Sequence, residues 1–320
     1  MKQILVTGAT GFIGRGLCEK LHNSHCKVRA AVRTEKSTKL PGSLDQSIVG
    51  DIGPSTNWEK ALLHVDCIVH LAACIDVVPG VSGDPLSRFR SVNVDGTIHL
   101  ARQAVRANVK RFIYISSIKV NGEISQTGVP FTPDDEPAPS TPYAVSKFEA
   151  ERALLQFSAE SGLEIVIIRS PLVYGPGVQG NFLRLMHWMA KGMPLPLGAI
   201  RNRRSLVALD NLLDLIVTCT DHPAAADQTF LVSDGEDLST TELLQQVSLA
   251  LGRNDRLIPM PAKVLAMFAA MFGRQSTVQR LCGSLQVDIT KTKSILDWSP
   301  PNTVGESLRL TAQDYFDTTS

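Results

Sequence analysis

The run Ile4-Leu5-Val6-Thr7-Gly8-Ala9-Thr10-Gly11-Phe12-Ile13-Gly14 decides how this chain folds. A short aliphatic strand runs into glycines spaced three and three, and residues 15–22 continue in a helical pattern. Each glycine has a physical role at such a strand-to-helix turn. Gly8 permits the tight turn, Gly11 lets the backbone approach a pyrophosphate, and Gly14 allows helix and strand to pack closely. The helix N-terminus then offers amide donors and the positive end of its dipole. The turn is therefore a phosphate cradle for a dinucleotide, with Gly8, Thr10, Gly11, Phe12, Ile13 and Gly14 as its candidate contacts.

Beyond that turn, β-branched runs at 4–7, 28–32, 46–49, 67–71, 111–116 and 164–169 alternate with segments of helical spacing, such as 62–65 and 98–105. This alternation predicts a doubly wound parallel sheet, the Rossmann architecture of the α/β class. After Pro171 the pattern turns to Gly- and Pro-rich loops, a helical stretch at 181–192 and the sequence Pro194-Leu195-Pro196-Leu197-Gly198. We expect a dinucleotide-binding domain over 1–172 and a smaller α/β substrate region over 173–320. A segment near 205–232, which includes the strand-like run 229–232, is expected to return to the main domain.

The end of the second strand discriminates between dinucleotides, because an acid there bonds a ribose 2′-hydroxyl whereas an arginine accommodates a 2′-phosphate. The residues are Val32-Arg33-Thr34-Glu35-Lys36. Arg33, followed by Lys36 and Lys39, favours NADP(H) over NAD(H); Glu35 serves NAD if the strand ends later.

Composition removes several other classes of function. The 320 residues carry 32 Lys and Arg against 31 Asp and Glu, a net charge of +1, so no global field draws nucleic acid. Six cysteines, Cys18, Cys26, Cys67, Cys74, Cys219 and Cys282, form no C-x-x-C pair and read as reduced core residues. Structure begins at residue 3, which leaves no room for a signal peptide, so a cytoplasmic location is expected. The apolar run 264–272 falls well short of the roughly 20 residues that span a bilayer and reads as an interdomain or core helix, with a membrane-surface or dimer face as the other reading. His22 and His25 beside Cys26 have no further ligand-type residues at metal spacing, and no metal is expected.

The strand 111–115 runs into Ser116-Ser117, placing hydroxyls at the carboxyl end of a central strand, where open α/β sheets bind ligands. Pro139-Ser140-Thr141-Pro142 reads as a helix start, and Tyr143 and Lys147 follow on one helical face. The lysine ammonium beside the phenol is expected to favour its ionised form, which makes the tyrosine a usable acid or base.

With these motifs in place, the chain resembles the extended short-chain dehydrogenases/reductases, in their NAD-dependent epimerase/dehydratase branch acting on nucleotide sugars. The likeness rests on residues 7–14, Asp51-Ile52, His70-Leu71-Ala72-Ala73, Asn93-Val94-Asp95-Gly96-Thr97, Ser116-Ser117, residues 143–147, and Arg169 through Val173-Tyr174-Gly175-Pro176. It implies that Asp51 and Ile52 meet the adenine and that Leu71, Ala72 and Ala73 line the dinucleotide. Asn93, Ser116 and Pro171 stand beside the cofactor, and Lys147 bonds the nicotinamide ribose. Ser117, Tyr143 and Lys147 are the implied catalytic set. Asn181 and Arg203 are the implied contacts to the substrate diphosphate, and a homodimer built through the Tyr143 helix is implied as well. Two departures stand out: Asn121 occupies a place where many relatives carry tyrosine, and the later arginine motif is not recognisable around Arg280.

The resemblance implies an enzyme of surface-polysaccharide biosynthesis that binds a UDP-sugar, and Arg33 tilts the expectation toward one reaction. This is reduction of the C4 keto group of a UDP-4-keto-6-deoxy-N-acetylhexosamine by NADPH. The alternative is a 4-epimerase of UDP-glucose or UDP-N-acetylglucosamine with tightly held NAD. A 4,6-dehydratase ranks below both, because Ile118-Lys119 stands where an Asp-Glu pair is wanted. A non-catalytic regulator would lack a member of the Ser117, Tyr143 and Lys147 set.

Overall fold

The aliphatic runs assemble into a parallel sheet covered on both faces. A computed structural model describes residues 1–24, 26–34, 40–75, 84–126, 128–271 and 275–319. His25, Glu35, Lys36, Lys39 and Phe272 lie outside the described residues. In chain order, β1 (Gln3–Thr7) leads into α1 (Phe12–Asn23), β2 (Lys27–Val32) and β3 (Asp45–Ile48). Then come β4 (Cys67–His70), α2 (Pro85–Arg90), a π-helical turn (Ser91–Gly96) and α3 (Thr97–Arg106). They are followed by β5 (Arg111–Ser117), a 3-10 turn (Ile118–Val120), α4 (Pro142–Ser161), β6 (Glu164–Ser170) and β7 (Leu172–Tyr174). The second half contains α5 (Gly180–Ala190), β8 (Arg204–Ala208), α6 (Leu209–Asp221), β9 (Gln228–Leu231), β10 (Asp237–Leu238) and α7 (Thr240–Ala250). The chain closes with α8 (Ala262–Met271), α9 (Gln275–Cys282), α10 (Thr290–Leu296) and α11 (Val304–Thr319).

Among the described residues seven strands form the main sheet in the order β3-β2-β1-β4-β5-β6-β9, with every neighbouring pair parallel. The winding reverses between β1 and β4, which opens a crevice at their carboxyl ends. Side chains alternate across β1: Ile4 and Val6 join the layer of α1 and α6, whereas Leu5 joins the layer of α3 and α4. All three are fully buried. Helix α1 approaches α6 so closely that a Cβ on Gly16 would lie 2.9 Å from Leu213 Cδ1.

The doubly wound class read from the sequence is the class observed. The segment 62–65 is not a helix: the Leu62 amide bonds Trp58 O at 2.9 Å, and His64, at φ +60°, turns the chain left-handed and ends that single turn. The return near 205–232 starts later than its first residues. Strand β8 pairs with β7 and β10 in a separate three-stranded sheet, whereas β9 pairs with β6. A second core around Phe182, Met186, Leu206, Leu244 and Leu308 holds the smaller region together.

Candidate active site

Four of the expected parts meet at the carboxyl ends of β1, β4 and β5. At the end of β1, Gly8 takes φ +66°, and a Cβ there would lie 2.8 Å from the Ala72 amide nitrogen. A Cβ on Gly14 would overlap Gly8 O and lie 2.7 Å from Ala9 Cα. These two glycines are therefore demanded by backbone packing. At Gly11, the N-cap of α1, no side chain caps the helix, so its first amides remain available to an anion. Phe12 packs against both the sheet core and the smaller core, which places the cradle at the seam between the two regions.

A buried hydrogen-bond chain sets the far wall. Thr97 Oγ1 donates to Asn93 O at 2.8 Å, so His70 Nε2 donates to Thr97 at 3.0 Å, and His70 Nδ1 accepts from Thr7 Oγ1 at 2.7 Å. Burial drives the His70 pKa down to about 3, which holds the ring neutral in that tautomer. Thr7 Oγ1 in turn accepts from the Ala72 amide at 3.3 Å. Asn93 clamps the same segment, taking the Cys74 amide at 2.7 Å and giving bonds to Cys74 O and Ser146 Oγ, both at 3.0 Å. Leu71, Ala72 and Ala73 are thus fixed between the cradle and α4.

Helix α4 starts as its sequence requires. Thr141 Oγ1 accepts from the Ala144 amide at 3.3 Å and Pro142 occupies the first turn. One turn later Lys147, only 2% exposed, donates from Nζ to Ile115 O at 2.7 Å and sits 4.0 Å above the Tyr114 ring centre. Burial pulls its pKa down to about 7 while Glu151, one further turn along, pulls the other way. The Tyr143 phenol is pushed up to about 12 by burial. The expected lowering of Tyr143 by Lys147 is therefore not the arrangement found: the ammonium is turned to a carbonyl and an aromatic face, and loss of water around the phenol prevails. Ser117, across the cleft on β5, accepts from the Lys119 amide at 3.3 Å, and Ser116 Oγ is buried without a hydrogen-bond partner among the described residues.

These features fit a dinucleotide: an uncapped helix start, a glycine cradle with no room for side chains, and at the carboxyl end of β5 a buried hydroxyl with no partner among the described residues. Arg33 and Asp51 stand at the ends of β2 and β3 and pair with each other at 2.8 Å, both largely exposed. Ile52 packs beside Gly96, where a Cβ would approach its Cγ2 to 3.1 Å. Pro171 is buried at the junction of β6 and β7.

The pattern of the NAD dependent epimerase/dehydratase family matches residues 4–233. The chain belongs to this family. It is 47% identical to the UDP-glucose 4-epimerase of Vibrio cholerae over 316 residues, covering 98% of this chain and 95% of that protein. The fold matches that of the UDP-glucuronic acid 4-epimerase of Bacillus cereus in complex with NAD, with a TM-score of 0.79, 23% identity, and coverage of 99% and 100%. MoeE5 in complex with UDP-glucose and NAD superposes with a TM-score of 0.78 at 25% identity, covering 99% of this chain and 100% of that chain. As a family member, the chain is an NAD(P)-dependent enzyme of the short-chain dehydrogenase/reductase type.

The family's substrate side is less completely assembled. Asn181 opens α5 with its carbonyl oxygen taking a bond from Arg184 at 2.5 Å. Arg203 donates to Asp237 O at 3.2 Å and pairs with Glu242 at 3.4 Å, and so faces β10 and α7. Three supporting residues escaped sequence reasoning. Tyr114 lies beneath Lys147, and Glu151 pairs with Arg169 at 2.7 Å, both almost fully buried. Asp234 accepts from the Ala208 amide, Asn211 and Tyr174, tying the smaller sheet together. Glu151 had a signal, since the spacing Tyr143, Lys147, Glu151 continues one helical face. Arg169 also donates to Asn121 Oδ1 at 3.0 Å, so the asparagine that departs from the family pattern serves as a buried acceptor.

Proposed function

We propose that this chain is a 4-epimerase of a UDP-sugar, a cytoplasmic homodimer with tightly held NAD. The observation that carries the reading is the 47% identity to a UDP-glucose 4-epimerase along almost the whole of both chains. The Arg33 to Asp51 ion pair supports NAD, because the aspartate already partly neutralises the arginine that a 2′-phosphate would need.

NAD, when bound, supplies the acceptance of hydride from C4 of the sugar and its return to the opposite face. Tyr143 takes the proton of the C4 hydroxyl and later gives it back, which requires the positive charge that NAD would add beside Lys147 to offset the burial that raises the phenol in the cofactor-free chain, and Ser117 steadies the oxygen by hydrogen bonding. Lys147 holds positive charge near the cleft, poised by its burial close to neutral pH. The orphaned Ser116 hydroxyl and the clamped 71–74 segment orient the cofactor and exclude water. Asn181 and Arg203 are the proposed diphosphate contacts, which requires Arg203 to leave Glu242 when substrate arrives.

The 4-ketoreductase reading retains one supporting feature, Arg33 at the end of β2. One experiment separates the two. Purified protein is denatured, the released dinucleotide is identified, and interconversion of UDP-glucose with UDP-galactose and of the N-acetylated pair is assayed. Stoichiometric NAD with interconversion is expected. A protein that purifies empty, consumes NADPH and reduces a UDP-4-keto-6-deoxy-N-acetylhexosamine without epimerising would overturn the proposal in favour of the reductase. Light scattering of the same preparation tests the homodimer.

A further inference from the structure

Helix α8 presents an apolar face that the described residues leave uncovered. Apart from Lys263 its ten residues are all Ala, Val, Leu, Met or Phe. Ala262 and Leu265 pack on the smaller core, but Met267 is 61% exposed, Phe268 49% and Met271 74%, with Ala266 and Ala270 exposed beside them. A helix this uniformly apolar is normally buried, so its outer side calls for an apolar contact.

The charge around it says which kind. Between Glu242 and Asp288 the chain carries five basic side chains, Arg253, Arg256, Lys263, Arg274 and Arg280, against the single acid Asp255. The whole protein is at +1, so this stretch concentrates positive charge that the remainder offsets. Arg253, Arg256, Lys263 and Arg280 are exposed, and none has an ion-pair partner among the described residues. A twofold contact between two copies through this stretch would bring its exposed cations toward those of the other copy, which like charge disfavours. An anionic bilayer satisfies both features, taking Met and Phe side chains into the acyl boundary and cations to its headgroups.

We propose that α8 is a membrane-surface anchor that docks the enzyme in the plane of an anionic lipid leaflet. The helix lies on the bilayer and does not cross it; no helix among the described residues is long and apolar enough to cross. The inference rests on this surface alone and is independent of which sugar reaction the enzyme performs. The end of α9 reaches the expected substrate region, since Arg204 donates to Arg280 O at 2.7 Å and Asn202 to Leu281 O at 3.1 Å. Docking therefore holds that region near the lipid surface.

The test is sedimentation of the full-length enzyme with vesicles of phosphatidylcholine alone or with about a third phosphatidylglycerol, at about 0.15 M salt. Wild type is expected to sediment with the anionic vesicles, to stay in solution with the neutral ones, and to be released at high salt. The exposed triple variant Met267→Ser/Phe268→Ser/Met271→Ser and the charge variant Arg256→Glu/Lys263→Glu should each weaken partitioning about tenfold or more. Both should keep the wild-type thermal midpoint and activity in solution. Wild type that ignores anionic vesicles overturns the proposal, as does a triple variant that binds them unchanged. If the triple variant instead lowers the oligomeric state in light scattering while wild type binds no vesicle, α8 is an interface between copies and the membrane reading fails.

Discussion

Lys147 stands in conflict with its surroundings. Its pKa near 7, against an ordinary value near 10.5, means that the unfolded chain holds a proton that the folded chain loses between those two pH values. Stability from this group is therefore lowest below pH 7 and rises as pH climbs from 7 toward 10.5. Lys147→Met should stabilise the cofactor-free protein by about 1–3 kcal/mol at pH 6, and by less at pH 9, measured by urea unfolding, while abolishing catalysis. Tyr114 offers a cleaner probe, because its ring lies under the ammonium while its buried hydroxyl has no partner among the described residues. Tyr114→Phe should retain activity. Tyr114→Leu, which loses the aromatic face, should reduce kcat/KM about tenfold and shift the pH–rate profile. The position of Tyr143 and Lys147 was readable from a spacing of four on a capped helix. The direction of the Tyr143 shift was not, because it depends on how far the phenol is buried and on where Lys147 Nζ turns, and its acceptor Ile115 O lies on β5.

Helix α4 is tied to the sheet through one buried ion pair. Glu151 and Arg169 meet at 2.7 Å with side chains 2% and 7% exposed, and Arg169 continues to Asn121. Glu151→Leu leaves a buried guanidinium unpaired and should destabilise the fold by about 3–5 kcal/mol in denaturant titrations. The double variant Glu151→Leu/Arg169→Met should recover most of that loss, since two apolar side chains of similar volume need no partner. Elements with strong local signals were legible: the strand and glycine turn of β1 and α1, the capped start of α4, and the β-branched runs. The segment 62–65 imitates a helix in sequence because its apolar spacing reflects burial of Leu62 and Val65 against the sheet, not a helical period.

The polypeptide interleaves its two regions, and this makes them one cooperative body. Strand β9 completes the main sheet beside β6, and α6 supplies Leu209, Leu212, Leu213 and Ile216 to the core that α1 and β1 share. Leu296 and Trp298 reach the same core from near the C-terminus, with Trp298 Nε1 bonded to Asp214 at 2.9 Å. A fragment of residues 1–172 should therefore fail to fold or should aggregate, whereas the full chain should lose secondary and tertiary signals in coincident transitions by circular dichroism and fluorescence. Adding the matching dinucleotide to cofactor-free protein should raise the thermal midpoint in a concentration-dependent way.

The doubly wound class, the tight glycine turn after β1 and the start of the helix that carries Tyr143 and Lys147 were legible in the linear order of residues, because each rests on local rules: glycine where backbones touch, a hydroxyl and proline at a helix start, four residues between side chains on one face. Packing settled the rest. The ion pair of Arg33 with Asp51, the neutral histidine behind the cofactor segment, the ammonium over Tyr114 and the exposed face of α8 each join or leave unjoined residues far apart in sequence. Their energies depend on burial and distance, and these exist only once the strands have taken their places in the sheet.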